Sequence, residues 1–343
     1  MGWDFTKEGL REGLASLGLA DAVEAVRWGS GHINDTFKVT MADGTRYCVQ
    51  RVNTDIFDET LLKANVVRVT EFLKAKGVPS LEVTAYASPW RAFRFLEGYA
   101  SRDVVDAPEQ ARQVGAAFAK FQNDLSDMPA PRLGDIIPKF HDTPDRIRQL
   151  DEAAAADVKG RRAEVAAELA FVERRRAEAG RIVKLMASGE IPERITHNDT
   201  KINNVMLAPD GSSVVIDLDT TMPGSALYDF GDMVRTSTAA AAEDEADLAK
   251  VFSKREYFEA LVGGYLGNAK FLNAAERANL VFAGRLSTFE VGVRFLTDYL
   301  AGDTYFHTAY PTHNLVRARN QFRMVESLEE QADAYEEIVK SEK

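Results

Sequence analysis

One stretch of this chain combines the pattern of a β-hairpin with a high density of polar side chains. Residues 195–207 read ITHNDTKINNVML, and after a Pro-Asp-Gly turn residues 213–219 read SVVIDLD. Apolar and β-branched runs on both sides of such a turn predict two short paired strands. The pairing would bring Asn204, just before the first strand, close to Asp217, just after the second.

Length and composition exclude several classes of protein. A chain of 343 residues exceeds one usual hydrophobic core and predicts two unequal lobes. The net charge of −11 argues against partners such as nucleic acid or an anionic membrane. The one cysteine, Cys48, excludes an internal disulfide and favours a reducing compartment. The N-terminus lacks the apolar core of a signal peptide and no later apolar run could span a bilayer, so we expect a cytoplasmic protein.

The order of strand and helix patterns predicts the fold class. An Asp43-Gly44 turn joins two strand-like runs, and residues 58–77 have the apolar spacing of an amphipathic helix that stops at Gly77. Helix patterns dominate from Pro108 onward, including the helix-prone span 150–186. We expect an α+β fold, with a small β-rich N-terminal lobe over residues 1–97 and a larger, mainly helical C-terminal lobe over residues 98–343.

The polar residues of the opening stretch have the spacing of a phosphotransfer loop. His197-x-Asp199, four further residues and Asn204 form the pattern H-x-D-x-x-x-x-N. Asp199 would orient and deprotonate an attacking hydroxyl, and Lys201 would neutralise charge on the transferred phosphoryl group. Asn204 and Asp217 offer the oxygen ligands that Mg²⁺ prefers. We expect His197 to order the loop.

The alternative is a polar turn that merely joins two strands. Three residues at fixed spacing arise by chance on the order of once in a hundred chains of this composition, and short motifs carry such false positives. The predicted hairpin favours the phosphotransfer interpretation, because it brings together the two residues that must share a metal ion.

These residues resemble a known group of enzymes. HNDTKINN followed by VIDLD resembles the aminoglycoside phosphotransferases and choline kinases, and FHDTPDR and RFLTDYLAGDTYF make the chain most similar to the N-acetylhexosamine 1-kinases. The similarity extends over about residues 28–323. It implies a bilobal protein-kinase-like fold with ATP in the cleft, Mg²⁺ as cofactor, and transfer of phosphate to the anomeric hydroxyl of GlcNAc or GalNAc.

The resemblance also implies a nucleotide site. The loop over the phosphates would contain Gly29, Ser30 and Gly31, although Asn34 replaces the third glycine of the protein-kinase pattern. Such a loop can equally be an ordinary turn. The connector to the adenine edge would be Phe95, Leu96 and Glu97, which could equally be the end of a buried strand.

The strand YCVQRV departs from the kinase pattern. It carries Gln50 and Arg51 where kinases place a phosphate-binding lysine, and alternation puts the two on opposite faces. If Gln50 faces the nucleotide, Asn65 would be its partner on the following helix. If Arg51 faces the nucleotide, Glu59 or Glu71 would be its partner on that helix. Either residue could also be a solvated strand side chain.

For the sugar, the resemblance carries over His32, Arg294 and Tyr305, together with Asp199. These side chains can donate to hydroxyls or to an N-acetyl oxygen, and tyrosine adds an aromatic face. The alternative for Arg294 is a surface ion pair with Asp298 at i+4.

Two further aspartates have predicted roles. Asp219 lies two residues past Asp217, on the same side of a predicted strand, and would reach a second Mg²⁺ or a sugar hydroxyl. Asp229 begins a sequence, D-F-G, that matches the kinase motif in its letters, but we interpret this aspartate as a structural cap.

Two other functions remain open at this stage. The chain could be a kinase for choline, homoserine, an aminoglycoside or another small alcohol. It could also be a nucleotide-binding pseudokinase, against which the intact Asp199, Asn204 and Asp217 argue. The sequence leaves open the preferred hexosamine, the number of Mg²⁺ ions, the oligomeric state and the pathway.

Overall fold

The computed structural model describes residues 9–29, 34–55 and 57–342. The chain forms two compact units, each built from several segments. The first contains Met1–Ser101, Asp127–Pro138 and Val205–Met222; the second contains Arg102–Ser126, Lys139–Asn204 and Pro223–Lys343. The functional division that we predict after residue 97 stays a prediction.

The first unit contains a five-stranded antiparallel sheet. Its strands are β1 (Ala22–Arg27), β2 (Asp35–Met41), β3 (Arg46–Arg51), β4 (Val83–Ala87) and β5 (Trp90–Arg94), and they lie side by side in the order β1-β2-β3-β5-β4. The predicted turn joins β2 to β3, where Gly44 takes a φ of 85° that glycine accommodates without steric cost. Apolar residues on one face of the sheet, among them Phe37 and Trp90, form a buried cluster with Leu14 of helix α1 (Leu10–Ser16).

Helix α2 (Glu59–Ala75) confirms the helix predicted for residues 58–77. The Asp58 side chain caps its first turn by accepting a hydrogen bond from the Leu61 N–H at 3.1 Å. Asn65, on its buried side, donates to the carbonyls of Gly134 and Thr221 at 2.8 and 3.0 Å. The helix is thereby tied to both non-contiguous segments of the first unit.

The first unit also contains the predicted hairpin. Strands β7 (Val205–Leu207) and β8 (Ser213–Val215) pair antiparallel, with Val205 opposite Val215. Leu207 further pairs with Ala100 through an isolated bridge.

The second unit is mainly helical. Its helices are α3 (Pro108–Leu125), α4 (Thr143–Ala156), α5 (Ala166–Ala179), α6 (Arg181–Ala187), α7 (Ala226–Ser237), α8 (Arg255–Asn268), α9 (Ala274–Arg277), α10 (Leu280–Ala301), α11 (His313–Glu330) and α12 (Ala332–Ser341). Two short strands, β6 (Arg194–Thr196) and β9 (Met222–Gly224), form a further pair.

The helix-prone span 150–186 is helical but not continuous. It comprises the end of α4, then α5 and most of α6, with breaks at Asp157, where φ is 41°, and at Gly180. These observations confirm the α+β class. Within residues 9–29, 34–55 and 57–342, no helix is long and apolar enough to cross a membrane.

Candidate active site

The predicted catalytic loop lies between β6 and a 3₁₀ turn at Ile202–Asn204. The His197 ring is fully buried and meets the rings of Phe118 and Phe121 edge-on, with centroids 5.2 and 5.9 Å apart. Its Nδ1 accepts a hydrogen bond from the Asp199 backbone N–H at 3.3 Å. His197 therefore orders the loop, as the sequence indicated.

Two carboxylates of α7 hold the backbone of this loop. Asp229 accepts hydrogen bonds from the N–H groups of His197 and Asn198 at 2.8 and 2.7 Å. Asp232 accepts one from the Thr200 N–H at 2.9 Å. Burial raises the pKa of Asp229, whose side chain is fully enclosed. The interpretation of Asp229 as a structural cap is confirmed in that it caps the backbone N–H groups of this loop, whereas the N-cap of α7 itself is Ser225.

The carboxylate of Asp199 faces two donors from its own loop. Lys201 Nζ lies 3.0 Å from Oδ2, and Asn204 Nδ2 donates to the same oxygen at 2.9 Å. Asn204 Nδ2 also donates to the Asp199 carbonyl at 2.8 Å. Because both acceptors are oxygens, the amide nitrogen must face them, and the amide oxygen remains the atom suited to a hard cation.

The hairpin places Asp217 just beyond the second strand. Asp217 follows Val215 by two residues and has a φ of 59°, in the left-handed region that few residues other than glycine occupy. Asn204 directly precedes Val205, the residue paired with Val215. Among the residues that the structure describes, no group of three or more His, Cys, Asp or Glu side chains could hold a metal ion.

The structure corrects the local geometry expected of Asp219. Residues Leu218–Thr220 form a 3₁₀ turn, so Asp219 does not share one side of a strand with Asp217. Its carboxylate is buried and lies 2.6 and 2.8 Å from Nη2 of Arg91, and it accepts a hydrogen bond from Asn34 Nδ2 at 2.6 Å. Its role as a metal ligand stays a prediction.

Gln50 and Arg51 lie on opposite faces of β3, and the structure distinguishes them. Gln50 is half-buried and its Oε1 accepts hydrogen bonds from Nε and Nη2 of Arg91 at 2.9 and 2.7 Å, while Arg51 is exposed. The partner of Gln50 is therefore Arg91, not Asn65, which binds carbonyl groups instead. Binding of either residue to a nucleotide stays a prediction.

Sequence reasoning missed Arg91. It lies on β5 opposite Gln50, is only 1% exposed, and carries a pKa raised above its ordinary value. Burial acts to lower that pKa, but the charge and hydrogen bond of Asp219 outweigh it. The available signal was an arginine inside the otherwise apolar run WRAF.

The structure describes some of the residues that we predict to bind the nucleotide. Gly29 has a φ of 79°, while Ser30, Gly31 and His32 lie outside the described residues. After β5, the Phe95 ring meets the Trp28 ring edge-on at 5.7 Å. Leu96 is half-buried, and the exposed Glu97 forms a bidentate ion pair with Arg46.

Arg294 of α10 is surrounded by aromatic rings. Its guanidinium carbon lies 5.2, 5.8 and 5.6 Å from the ring centres of Phe140, Tyr305 and Phe306. Asp298 does not serve it as an ion-pair partner: that buried carboxylate accepts the backbone N–H groups of Thr304, Tyr305 and Phe306 at 2.8–2.9 Å. The surface-pair alternative for Arg294 is therefore wrong, because Asp298 instead shapes the loop that carries Tyr305.

A buried glutamate lies beside this arginine. Glu290 is 0% exposed; its Oε1 lies 2.7 Å from His141 Nδ1, and its Oε2 accepts from the Thr143 hydroxyl at 2.6 Å. The His141 ring stacks on Tyr228 of α7, with centroids 4.7 Å apart. Burial acts to raise the pKa of Glu290, but His141, Thr143 and, to a smaller extent, the charge of Arg294 lower it below its ordinary value.

Helix α7 connects this cluster to the catalytic loop. Burial acts to raise the pKa of Asp232, but Arg235 and, to a smaller extent, His141 lower it below the ordinary value. His141 is thus near the carboxylate that holds Thr200. Arg294, Tyr305 and Asp199 all belong to the second unit.

An antiparallel sheet, a mainly helical unit and an H-x-D-x-x-x-x-N loop held by buried aspartates define a phosphotransferase. The family model for the phosphotransferase enzyme family, APH, matches residues 24–261, more than half of the chain. The protein belongs to this family and is a small-molecule kinase.

Solved structures confirm the kinase-like fold. The microcompartment-associated aminopropanol kinase gives a TM-score of 0.64 at 15% identity, covering 95% of this chain and 97% of that one. A choline/ethanolamine kinase family protein from Mesorhizobium loti gives 0.61 at 18%, covering 96% and 97%. Amicoumacin kinase in complex with AMP-PNP, Ca²⁺ and Ami gives 0.60 at 12%, covering 90% and 88%. At these identities the likeness shows the fold alone.

Proposed function

We propose that this kinase transfers the γ-phosphoryl group of ATP to the anomeric hydroxyl of an N-acetylhexosamine, GlcNAc or GalNAc, and releases the sugar 1-phosphate. The geometry around Asp199 supports phosphoryl transfer, and the surroundings of Arg294 support an acceptor rich in oxygen atoms. The competing candidate is a kinase for another small alcohol, such as choline, homoserine or an aminoglycoside. The similar structures of an aminopropanol kinase and of a choline/ethanolamine kinase family protein support an amino alcohol as acceptor.

The observation that carries the choice of acceptor is the guanidinium of Arg294 among three aromatic rings. Aromatic rings in such an arrangement can bind a cationic ligand such as choline. Here they already face a cation of the protein itself. A quaternary or protonated amine would meet like charge at this position, whereas hydroxyl and N-acetyl oxygens would accept hydrogen bonds from it.

A second guanidinium strengthens this argument. Arg146 binds the Phe140 carbonyl through Nε and Nη2 at 3.2 and 2.8 Å. Burial and the nearby charge of Arg294 lower the pKa of Arg146. The buried carboxylate of Glu290 is already occupied by His141 and Thr143. The cluster therefore favours acceptors that bring oxygen atoms rather than a positive charge.

The catalytic roles follow from the loop. Asp199 would take the proton of the attacking hydroxyl, while Lys201 and Asn204 hold its carboxylate in place. Lys201 would also neutralise charge that develops on the transferred group. Positioning and charge neutralisation supply the rate, and no covalent enzyme intermediate is needed.

The donor set fits Mg²⁺. The amide oxygen of Asn204 and the carboxylate of Asp217 are hard oxygen ligands, and Mg²⁺ typically takes one or two protein ligands, phosphate oxygens and waters. Bound Mg²⁺ would neutralise charge on the β- and γ-phosphates. Asp219 is proposed as a further ligand only if its pairing with Arg91 opens.

On the nucleotide side we keep Gly29, Ser30 and Gly31 as the phosphate loop. Gln50 and Arg51 remain proposed contacts, as does the connector Phe95, Leu96 and Glu97. The bound nucleotide in amicoumacin kinase supports ATP as co-substrate. His32 and Tyr305 complete the proposed sugar contacts, and a cytoplasmic location remains a proposal.

Replacing Arg294 with Ala tests the acceptor. A lost hydrogen bond to a charged group costs about 1.5 to 3 kcal/mol, so kcat/KM for GlcNAc or GalNAc should fall about 10-fold to 150-fold while the KM for ATP barely moves. Arg285→Ala is the matched control, because Arg285 lies on the same helix and also faces an aromatic ring. Its guanidinium carbon lies 5.1 Å from the ring centre of Phe282, and its guanidinium forms an ion pair with Glu178. It should leave sugar turnover unchanged.

The substrate panel decides between the candidates. Wild-type enzyme is assayed with GlcNAc, GalNAc, choline, homoserine and an aminoglycoside, and products are identified by ³¹P NMR. Turnover of choline with none of any hexosamine would discard the sugar proposal. No ATP consumption with any acceptor would favour the pseudokinase alternative.

A further inference from the structure

A buried arginine lies on the strand next to β3. In the sheet register Arg91 of β5 lies opposite Gln50 of β3. Its Nε and Nη2 both bind Gln50 Oε1, and Nη2 also contacts both carboxylate oxygens of Asp219 at 2.6 and 2.8 Å. The side chains of Arg91 and Asp219 are only 1% and 4% exposed. A buried pair of this kind fixes both partners in one arrangement, since either charge left alone would be strongly disfavoured.

Asp219 also connects the sheet to the segment after the phosphate loop. Asn34 Nδ2 donates to its Oδ2 at 2.6 Å, and Asn34 Oδ1 accepts from the Asn53 backbone N–H at 3.0 Å. Asn34 is the residue that replaces the third glycine of the kinase loop pattern. One carboxylate therefore joins β5, the start of β2 and the end of β3.

Asp217 depends on the same anchor. It adopts a left-handed backbone conformation, which aspartate tolerates better than most residues with a side chain but which still costs free energy that neighbouring contacts must offset. The 3₁₀ turn that follows it contains Asp219, held by Arg91. Fixing Asp219 thus fixes the backbone two residues away, where the proposed metal ligand lies.

We infer that Arg91 is a positioning residue for the metal site: through Asp219 it holds the turn that presents Asp217 to Mg²⁺. The inference rests on the proposed function, which makes Asp217 a ligand. Arg91 is too deeply buried to contact a phosphate itself, so it acts through Asp219. Arg91 accordingly anchors Asp219.

Nucleotide binding measured by calorimetry tests this without any acceptor. ADP affinity is determined with and without Mg²⁺ for wild type, Arg91→Met and Arg91→Lys. Loss of a residue that orients a metal ligand typically costs 10-fold to 100-fold in metal affinity, so Arg91→Met should raise the half-saturating Mg²⁺ concentration about 10-fold or more. ADP affinity without Mg²⁺ should stay within about two-fold.

Arg91→Lys keeps the charge toward Asp219 but cannot bind Gln50 at the same time through a planar fork, so it should give a smaller rise in the Mg²⁺ requirement. The control is Arg175→Met, which removes a bidentate pair with Glu329 in the second unit. That variant should lose thermal stability but keep the wild-type Mg²⁺ response.

A lowered melting temperature with an unchanged Mg²⁺ requirement in both Arg91 variants would show that the pair is merely structural and would overturn the inference. If Arg91→Met does not fold, Arg91→Lys decides alone, and a wild-type Mg²⁺ response there overturns it equally. If wild-type ADP affinity does not respond to Mg²⁺, the metal site of the proposed function fails and the inference with it.

Discussion

At the scale of single residues, the proposed phosphoryl transfer depends on how the Asp199 carboxylate is held. Its Oδ2 faces Lys201 Nζ and Asn204 Nδ2 at 3.0 and 2.9 Å, and its backbone N–H is bound by the buried His197 ring. A general base must be fixed within reach of the hydroxyl that it deprotonates. These contacts leave Asp199 only a narrow range of orientations.

Asp199→Asn removes the proposed general base and keeps the shape of the side chain. We expect turnover to fall by about 10²-fold or more, because proton transfer by a positioned side chain typically contributes that much. ADP affinity should be nearly unchanged. The control is Asp124→Asn on α3, which also removes a carboxylate paired with a lysine. Asp124 Oδ2 lies 2.5 Å from Lys120 Nζ. Turnover of Asp199→Asn within a few-fold of wild type would contradict the assignment.

At the scale of elements, α7 contacts both the proposed catalytic loop and the cluster proposed to bind the acceptor. Asp229 and Asp232 on this helix hold the catalytic loop, and Tyr228 stacks on His141 beside Glu290. The position of α7 against α10 therefore affects both sites. Gly231 lies at that contact: an added Cβ would come within 2.2 Å of Ser287 Oγ and 2.4 Å of the Ala283 carbonyl.

Gly231→Ala should consequently destabilise the protein. The new methyl group meets backbone that cannot move without shifting α7 or α10, and overpacking of this kind typically costs about 1–3 kcal/mol. The control is Gly267→Ala in α8, where a Cβ would meet nothing within 4 Å. That change should be neutral or stabilise by up to about 1 kcal/mol. Equal melting temperatures for the two variants would contradict the close packing of α7 on α10.

The elements that the sequence predicted best depend on local patterns. Helices α2 and α3, the β2–β3 hairpin and the β7–β8 hairpin each carry their own periodicity and turn residues. Arg91 and its partners could not be found this way, because they meet through the pairing of β3 with β5, two strands separated along the sequence by α2 and β4. The position expected for Asp219 was wrong because the run VVIDLD forms a strand only as far as Val215. Its last residues belong to a 3₁₀ turn at Leu218–Thr220.

At the scale of the whole molecule, segments that are far apart in sequence belong to the same compact unit. Segments Asp127–Pro138 and Val205–Met222 belong to the first unit although most of the chain around them belongs to the second. Asn65 shows the cause: its side chain binds Gly134 and Thr221, one in each of these segments. Contacts of this kind join residues far apart in sequence, so a division by composition cannot reveal them.

The stability of the whole molecule should depend on pH through Glu290. Burial acts to raise the pKa of this carboxyl, but His141, Thr143 and the charge of Arg294 together lower it below its ordinary value of 4.5. A carboxyl with a lower pKa in the folded state binds fewer protons there than in the unfolded state. Its stabilising contribution is therefore complete above pH 4.5 and is lost as the pH falls through the folded-state pKa.

Glu290→Gln tests this sign directly. Wild type should be more stable than the variant at pH 7, by about 1.4 kcal/mol for each unit of pKa difference, and the gap should narrow below about pH 4.5 as the glutamate becomes neutral. The free energy of unfolding is measured by urea titration between pH 3.5 and 7.5. Glu152→Gln, an exposed partner of Arg148 on α4, is the control and should change stability by no more than about 0.5 kcal/mol at any pH. A gap between wild type and Glu290→Gln that stays constant over this range would mean that Glu290 stabilises the fold by shape alone and not by its charge among His141 and Arg294.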